Sequence, residues 1–172
     1  DGSGSYRALL RTPAVLWLAG LSFITTFVGY GQMESGFPAF ARQVSEVSTR
    51  TLGLAFAANT LVIVTLQFAV LQRIEGLRRT RVLMVMSAIW ALSWVVLGAT
   101  GLAPGTTSAV IAVVGFMALF GFGETMMQST IPALVNDLAD DHTRGRANSV
   151  NSGAFQLGAI TGPMMAGFVL HD

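Results

Sequence analysis

Four long stretches without a charged side chain dominate the sequence. They run from Thr12 to Met33, Thr51 to Gln72, Val82 to Gly123 and Ala147 to Leu170. A hydrocarbon core of about 30 Å needs about 20 helical residues. The first, second and fourth stretches therefore each hold one membrane crossing, and the third is long enough for two. Glycine and proline within residues 101–108 mark the turn between those two helices.

The pattern predicts an all-α fold, a polytopic bundle of about five transmembrane helices. The apolar runs are continuous rather than alternating, which favours helices over barrel strands, and a helix satisfies its own backbone groups in lipid. Composition agrees, since 52% of residues are hydrophobic and 11% charged, whereas a soluble domain carries about a quarter charged residues. The predicted spans are 13–37, 51–72, 82–101, 107–135 and 147–170.

The sequence contains ten arginines and no lysine, and the placement of the arginines predicts the topology. Eight fall on one side of the membrane, whereas Arg42 and Arg50 fall on the other. By the positive-inside rule, the amino terminus and the arginine-rich loops lie in the cytoplasm, and His171-Asp172 lies outside. The absence of lysine suggests GC-rich coding and hence a bacterial source, which predicts the bacterial cytoplasmic membrane as the location. The eight cytoplasmic arginines are Arg7, Arg11, Arg73, Arg78, Arg79, Arg81, Arg144 and Arg146.

The predicted organisation is a cytoplasmic linker over residues 1–12 followed by one transmembrane domain over residues 13–172. The opening Asp-Gly-Ser-Gly-Ser is typical of a flexible linker. The missing initial methionine and the odd number of spans suggest a piece of a longer protein, and a natural short protein is the alternative. No pattern of a removable signal peptide opens the chain.

Two basic loops carry a resemblance to a known family. A helix with Asn59 and Gln67 is followed by the loop Gln72–Arg81, two further helices and a second loop around Arg144-Gly-Arg146. This order resembles the second half of the major facilitator superfamily. The first loop, with Arg73, Gly76, Arg78 and Arg79, is similar to the repeat copy of the basic loop signature of that family, with Gln72 in place of its aspartate.

The second match is more specific. The segment Ile131–Asn151, continued by Leu157–Gly167, is similar to the tenth helix, cytoplasmic loop and eleventh helix of drug-efflux-type facilitators. The resemblance implies that the five spans correspond to family helices seven to eleven, an incomplete carboxy-terminal bundle. It also implies gating roles for the two basic loops and a missing amino-terminal six-helix bundle, or another half-transporter, as partner.

The last span contains a series of small residues spaced for close helix packing. Gly158 and Gly162 are followed by Pro163, which removes a backbone donor and predicts a kink or support from a neighbouring helix. The resemblance makes this segment, which extends to Gly167, a relative of the antiporter Gly-Pro signature. Plain packing is the alternative reading.

Glu124 is the strongest candidate for a functional group. It lies well inside the fourth span, where a charged side chain costs about 2.5–3.5 kcal/mol on insertion scales and is expected to face the bundle or a water cavity. The functional hypothesis is a carboxylate that couples transport to protons or recognises a cation. The alternative is a structural acid that is paired with an arginine or hydrogen-bonded across a helix interface.

Other polar residues within the spans are weaker candidates for substrate contacts. Glu34 and Tyr30 lie near the external end of the first span, where glycines and Pro38 predict a bent or broken helix that lines an outer cavity. Asn59 and Gln67 share a face of the second span, and Gln128 lies on the fourth. Amides of this kind either hold helices together or line a substrate route.

Enzymatic, metal and nucleotide chemistry find no support in the sequence. The two histidines fall in a loop and at the terminus, and no metal, cofactor or phosphate-binding motif is present. There is no cysteine, and the net charge of +1 argues against a nucleic-acid partner. We therefore predict no enzyme, no metal and no cofactor. The lipid bilayer, a small-molecule substrate and protons are the predicted partners.

Two functions fit these observations. The first is part of a secondary active transporter that exports small hydrophobic or cationic compounds in exchange for protons. The second is a non-transporting membrane scaffold or truncated half-transporter subunit, whose helices only pack against partners. The length of the native reading frame would separate the two.

Overall fold

The computed structural model describes residues 10–139 and 142–169, with the backbone alone at Val169. Within these ranges every regular element is helical, which confirms the predicted all-α fold. The glycine-rich opening, Arg7, Leu170 and His171-Asp172 lie outside the described residues, so the predicted linker and external terminus stay predictions.

Six α-helices and two short turns make up the described chain. Helix α1 (Pro13–Val28) is followed by a π-helical turn (Gln32–Gly36) and by α2 (Phe37–Gln43). Then come α3 (Thr49–Ile74), α4 (Arg79–Ala99), a 3₁₀ turn (Thr100–Leu102), α5 (Thr107–Leu138) and α6 (Arg144–Val169).

Local sequence explains where several helices begin and turn. Pro13 occupies the first turn of α1, where its missing N–H costs no hydrogen bond. Ser48 caps α3, since its hydroxyl accepts a 3.2 Å hydrogen bond from the backbone N–H of Thr51. Gly76, between α3 and α4, adopts a φ of +78°, and Gly105, between α4 and α5, one of +70°. Both turns use the left-handed region that glycine reaches without steric cost.

Among the described residues, four helical segments are long and apolar enough to cross a membrane: Pro13–Gln43, Thr49–Ile74, Arg79–Leu102 and Thr107–Leu138. They match the first four predicted spans. The fifth predicted span is also helical, as α6 has 26 residues and measures about 39 Å. It is more polar than the other four, because two arginines lie in its first turn and several amides and hydroxyls follow.

The observed helix ends differ from the predicted ones at two prolines. The first span continues past residue 37 to Gln43, because Pro38 lies in the first turn of α2, where proline is tolerated. The fourth continues past residue 135 to Leu138, with Pro132 inside the helix. The fifth begins at Arg144 rather than residue 147, since the Arg-Gly-Arg motif itself forms the first helical turn.

The chain divides into two compact units. One comprises the described parts of Asp1–Phe37 and Ile131–Asp172, and in it α1 packs along α6. The other is Pro38–Thr130, whose core centres on Phe116, Met117 and Phe120.

Large apolar side chains also cover the outside of the helices. Trp17, Phe68 and Phe168 are each more than 70% exposed. Such a surface suits hydrocarbon rather than water. The exposed apolar surface that membrane-spanning helices need is therefore present in the structure, as the sequence predicts.

Candidate functional site

Glu124 lies on α5 and is 6% exposed. Its neighbours along that helix, Gly123 and Thr125, are buried as well. A carboxylate in this position needs hydrogen-bond donors, because an unpaired buried charge is costly. The structure provides such donors from two helices of the same unit.

Two side-chain amides bind the carboxylate. Gln128, one turn further along α5, donates from Nε2 to Glu124 Oε1 at 2.8 Å. Asn59 on α3 donates from Nδ2 to Glu124 Oε2 at 3.4 Å. The same Asn59 amide also donates to the backbone carbonyl of Met117 at 3.3 Å. The carboxylate therefore links two membrane-spanning helices through a polar contact.

A glycine allows α3 to come this close to α5. A Cβ atom added to Gly121 would lie 2.9 Å from the carbonyl oxygen of Asn59 and 2.8 Å from its Nδ2. Contacts this short do not occur between real atoms of these types, so a larger residue would push the two helices apart. Gly121 thus sets the register that brings Asn59 beside Glu124.

Helix α4 supports the segment of α5 just before the carboxylate. Trp90 Nε1 donates to the Phe120 carbonyl at 3.0 Å, and its ring stacks on the Phe120 ring with 4.4 Å between centroids. A Cβ atom on Gly123 would lie 2.5 Å from Trp90 Cδ1. The residue that precedes Glu124 therefore has no room for a side chain, and this part of α5 is held from two sides.

The cluster joins a buried acid to an exposed amide. Gln128 is exposed, whereas Asn59 is 8% exposed and Glu124 6%. The carboxylate is therefore shielded on the Asn59 side and bound by a more exposed side chain on the other. Both amide groups can rearrange their hydrogen bonds, since each carries a donor and an acceptor.

Gln67 does not join this cluster. It is half-buried on α3, two turns beyond Asn59. Gln67 lies about 12 Å from Asn59 along the axis of α3.

The other predicted candidates lie in the first unit. Tyr30 is half-buried, and its ring lies 5.7 Å from that of Phe155 on α6. Glu34 is exposed within the π-helical turn Gln32–Gly36. The bent or broken helix end predicted here stays a prediction, and the structure has a π-helical turn at this place. Gln32, a residue outside the main candidates, donates from Nε2 to the Gly162 carbonyl at 3.1 Å.

The small residues of α6 pack directly on α1. A Cβ atom on Gly162 would lie 2.7 Å from Gly31 Cα, and one on Gly158 would lie 2.6 Å from the Phe23 carbonyl oxygen. Ser22 on α1 donates a short hydrogen bond to Asn151 Oδ1 on α6. Pro163 lies inside α6 next to this contact. Gly167 is different, since a Cβ atom there would meet nothing within 4 Å in the described structure.

The two predicted gating loops are exposed. Arg73 lies in the last turn of α3, Arg78 caps α4 and Arg79 begins it, with Gly76 between them. Arg144 and Arg146 lie in the first turn of α6. The structure describes neither Asp140 nor Asp141 before that helix. The gating role of all these residues stays a prediction.

Metal chemistry has no visible support in the described part of the chain, because no group of three or more His, Asp or Glu side chains there could hold an ion. The site is instead a single buried carboxylate with amide partners. The residues missed from the sequence are Gly121, Gly123 and Trp90. Their effect depends on contacts between helices, for which a sequence gives no direct signal.

The fold and the buried polar cluster define a polytopic helical membrane protein. The model of the Major Facilitator Superfamily matches residues 3–163. This chain belongs to that superfamily, whose members are transporters and not enzymes. Comparison with curated proteins found no match. Comparison with solved structures found none either.

Proposed function

We propose that this chain is the carboxy-terminal part of a proton-coupled antiporter that exports small hydrophobic or cationic compounds across a bacterial cytoplasmic membrane. The observation that carries the proposal is the buried carboxylate of Glu124, bound by Asn59 and Gln128. Family membership supplies transport as the general activity. The carboxylate supplies the coupling group.

The chemistry of proton coupling needs a carboxyl group that alternates between two environments. Removal of a carboxylate from water favours its neutral form, whereas contact with water or a cation favours the charged form. Within a membrane span, an acid is therefore a default candidate for a proton path. Glu124 fits because it is buried while its partner Gln128 is exposed.

The same carboxylate explains the proposed substrate class. A cationic compound can replace the proton as the positive partner of Glu124, so that proton and substrate compete for one site. Apolar parts of the compound would contact the surrounding hydrocarbon side chains. Competition of the two ligands for one acid couples their movement in opposite directions when the site opens to one side of the membrane at a time.

Supporting arguments for the topology come from the arginine distribution. Eight arginines on one side favour a cytoplasmic position for the amino terminus and for the loops around Arg73–Arg79 and Arg144–Arg146. In the proposed transporter these loops close the cytoplasmic face in one state, by pairing with acids on the missing amino-terminal bundle. The lipid bilayer, this bundle, a small-molecule substrate and protons are the proposed partners.

The proposal is tested with inside-out vesicles from cells that produce the protein together with the rest of its native reading frame. When a lipophilic cation is added outside vesicles that have an acidic interior and contain the native protein, protons are expected to leave the vesicles. Glu124→Gln is expected to abolish this release, and any residual transport should no longer depend on pH.

Glu75→Gln is the matched control, because Glu75 is an exposed acid in the loop after α3. It should keep both transport and its pH dependence. Unchanged proton exchange in Glu124→Gln would refute the coupling role. Absence of any transport by the native protein would favour the scaffold function instead.

A further inference from the structure

A pocket of about 560 Å³ is lined by residues of α3 and α5. On α3 it lies on the carboxy-terminal side of Asn59, which contacts Gly121. Val70 and Ile74 on α3 form its buried floor, and Phe122 and Met126 on α5 form a wall. Its volume falls in the range of about 300–1,000 Å³ that is typical of small-molecule sites. Among its lining residues, Arg73 carries the charge.

The pocket has a definite depth in the membrane. Arg73 lies in the last turn of α3, at the end of a helix that is long and apolar enough to span the bilayer. The lining residues on α3 extend from Leu66 to Ile74, about 12 Å along the helix axis. Arg73 is therefore at headgroup level, and the apolar part of the pocket reaches into the hydrocarbon region.

We propose that this pocket binds one acyl chain of an anionic phospholipid, with the lipid phosphate on Arg73. The site is distinct from the Glu124 cluster, since neither Glu124 nor its two amide partners line the pocket. An arginine guanidinium matches a phosphate in geometry and charge. A basic pocket between membrane helices on the cytoplasmic side is the expected form of a site for anionic headgroups.

The charges nearby favour an anionic headgroup over a zwitterionic one. Arg78, Arg79 and Arg81 follow Arg73 within one loop and the next helical turn, against the single acid Glu75. Such a cluster raises the local concentration of anionic lipids. The apolar lining cannot provide this choice, because the two lipid classes differ in their headgroups and not in their acyl chains. Selectivity must therefore depend on the basic residues, of which Arg73 is the one in the pocket lining.

The test uses the unsubstituted chain in nanodiscs of phosphatidylcholine with a minor fraction of phosphatidylglycerol. After transfer to mild detergent, the lipid that stays bound is measured by native mass spectrometry. We expect phosphatidylglycerol to be retained in preference to phosphatidylcholine. Arg73→Gln should lower this preference about fivefold, the effect of one basic group near an anionic headgroup.

Two matched controls separate a defined site from diffuse attraction. Arg81→Gln removes the same charge from outside the pocket lining and should have a smaller effect than Arg73→Gln. Ala69→Phe fills the pocket and should lower retention of both lipids, whereas Ala57→Phe, on an exposed part of the same helix, should not. The proposal would be overturned if Arg73→Gln and Arg81→Gln lowered the lipid preference equally, or if Ala69→Phe and Ala57→Phe lowered lipid retention equally. Equal retention of the two lipids by the unsubstituted chain would also overturn it.

A second measurement needs no substitution and so does not depend on the folding of a variant. Phosphatidylglycerol with a photoactivatable acyl chain should crosslink to the peptide that contains residues 66–74. Crosslinks distributed over the exposed faces of all helices, with no excess at this peptide, would show ordinary bilayer contact and overturn the proposal.

Discussion

Gln128 Nε2 donates a 2.8 Å hydrogen bond to Glu124 Oε1, so two polar side chains one turn apart on α5 form a pair. Asn59 adds a donor from α3 at 3.4 Å. The two contacts differ in kind. The first lies within one helix and orients the carboxylate, whereas the second joins two helices and depends on their packing.

A double-mutant cycle can measure the contact between the helices. We expect Asn59→Ala to lower the free energy of unfolding, because Met117 and Glu124 both lose a donor. The coupling energy between Asn59→Ala and Glu124→Ala should be about 0.6 kcal/mol, a typical value for hydrogen bonds within membranes. Unfolding in mixed micelles gives the four stabilities. The control cycle replaces Asn59→Ala by Thr65→Ala, at an exposed position on the same helix. An equal coupling energy in the control cycle would refute the contact between Asn59 and Glu124.

Close packing of α1 and α6 gives a second prediction. Gly162→Ala should destabilise the protein by about 1–3 kcal/mol, the usual cost of overpacking, because the new methyl group would lie 2.7 Å from Gly31 Cα. Thermal unfolding in detergent measures the effect. Gly167→Ala, on the same helix with open space around it, should be neutral or stabilising. Equal destabilisation by both substitutions would contradict the packing.

The sequence predicted the membrane helices well because their signal is local. A stretch of about 20 residues without charge has few alternatives to a membrane helix. The helix ends were less certain, since Pro132 is accommodated within α5 and Pro38 within the first turn of α2. A proline alone does not show whether a neighbouring helix supports the chain on both sides of it.

The candidate site was predicted residue by residue but not as a cluster. Glu124 stood out because an acid within a span is costly, and Asn59 and Gln128 stood out as polar residues in apolar segments. Their meeting depends on the register of α3 against α5, which Gly121 sets through its contact with Asn59. Among 19 glycines, the sequence does not show which one makes this contact.

Packing of α4 on α5 gives a third prediction. Gly123→Ala places a methyl group 2.5 Å from Trp90 Cδ1, so we expect the indole to move and the stacking on Phe120 to weaken. The protein should lose about 1–3 kcal/mol of stability, and its tryptophan fluorescence should change. The matched substitution Gly115→Ala, which meets nothing within 4 Å on the same helix, should leave both unchanged. The same fluorescence change in both variants would contradict this packing.

The two tryptophans of α4 should respond unequally to substitution by phenylalanine. Trp90 Nε1 is hydrogen-bonded to the Phe120 carbonyl, whereas the buried Trp94 Nε1 has no hydrogen-bond partner among the described residues. Loss of a hydrogen bond costs about 0.5–1.5 kcal/mol, and removal of an unsatisfied buried donor relieves a desolvation penalty.

Both rings also pack on phenylalanines, Trp94 on Phe116 at 4.9 Å between centroids. The loss of ring area is therefore similar in the two variants. Trp90→Phe should consequently destabilise the protein by about 1 kcal/mol more than Trp94→Phe when both are unfolded in the same detergent. A larger loss in Trp94→Phe would show that its indole N–H has a partner in the membrane.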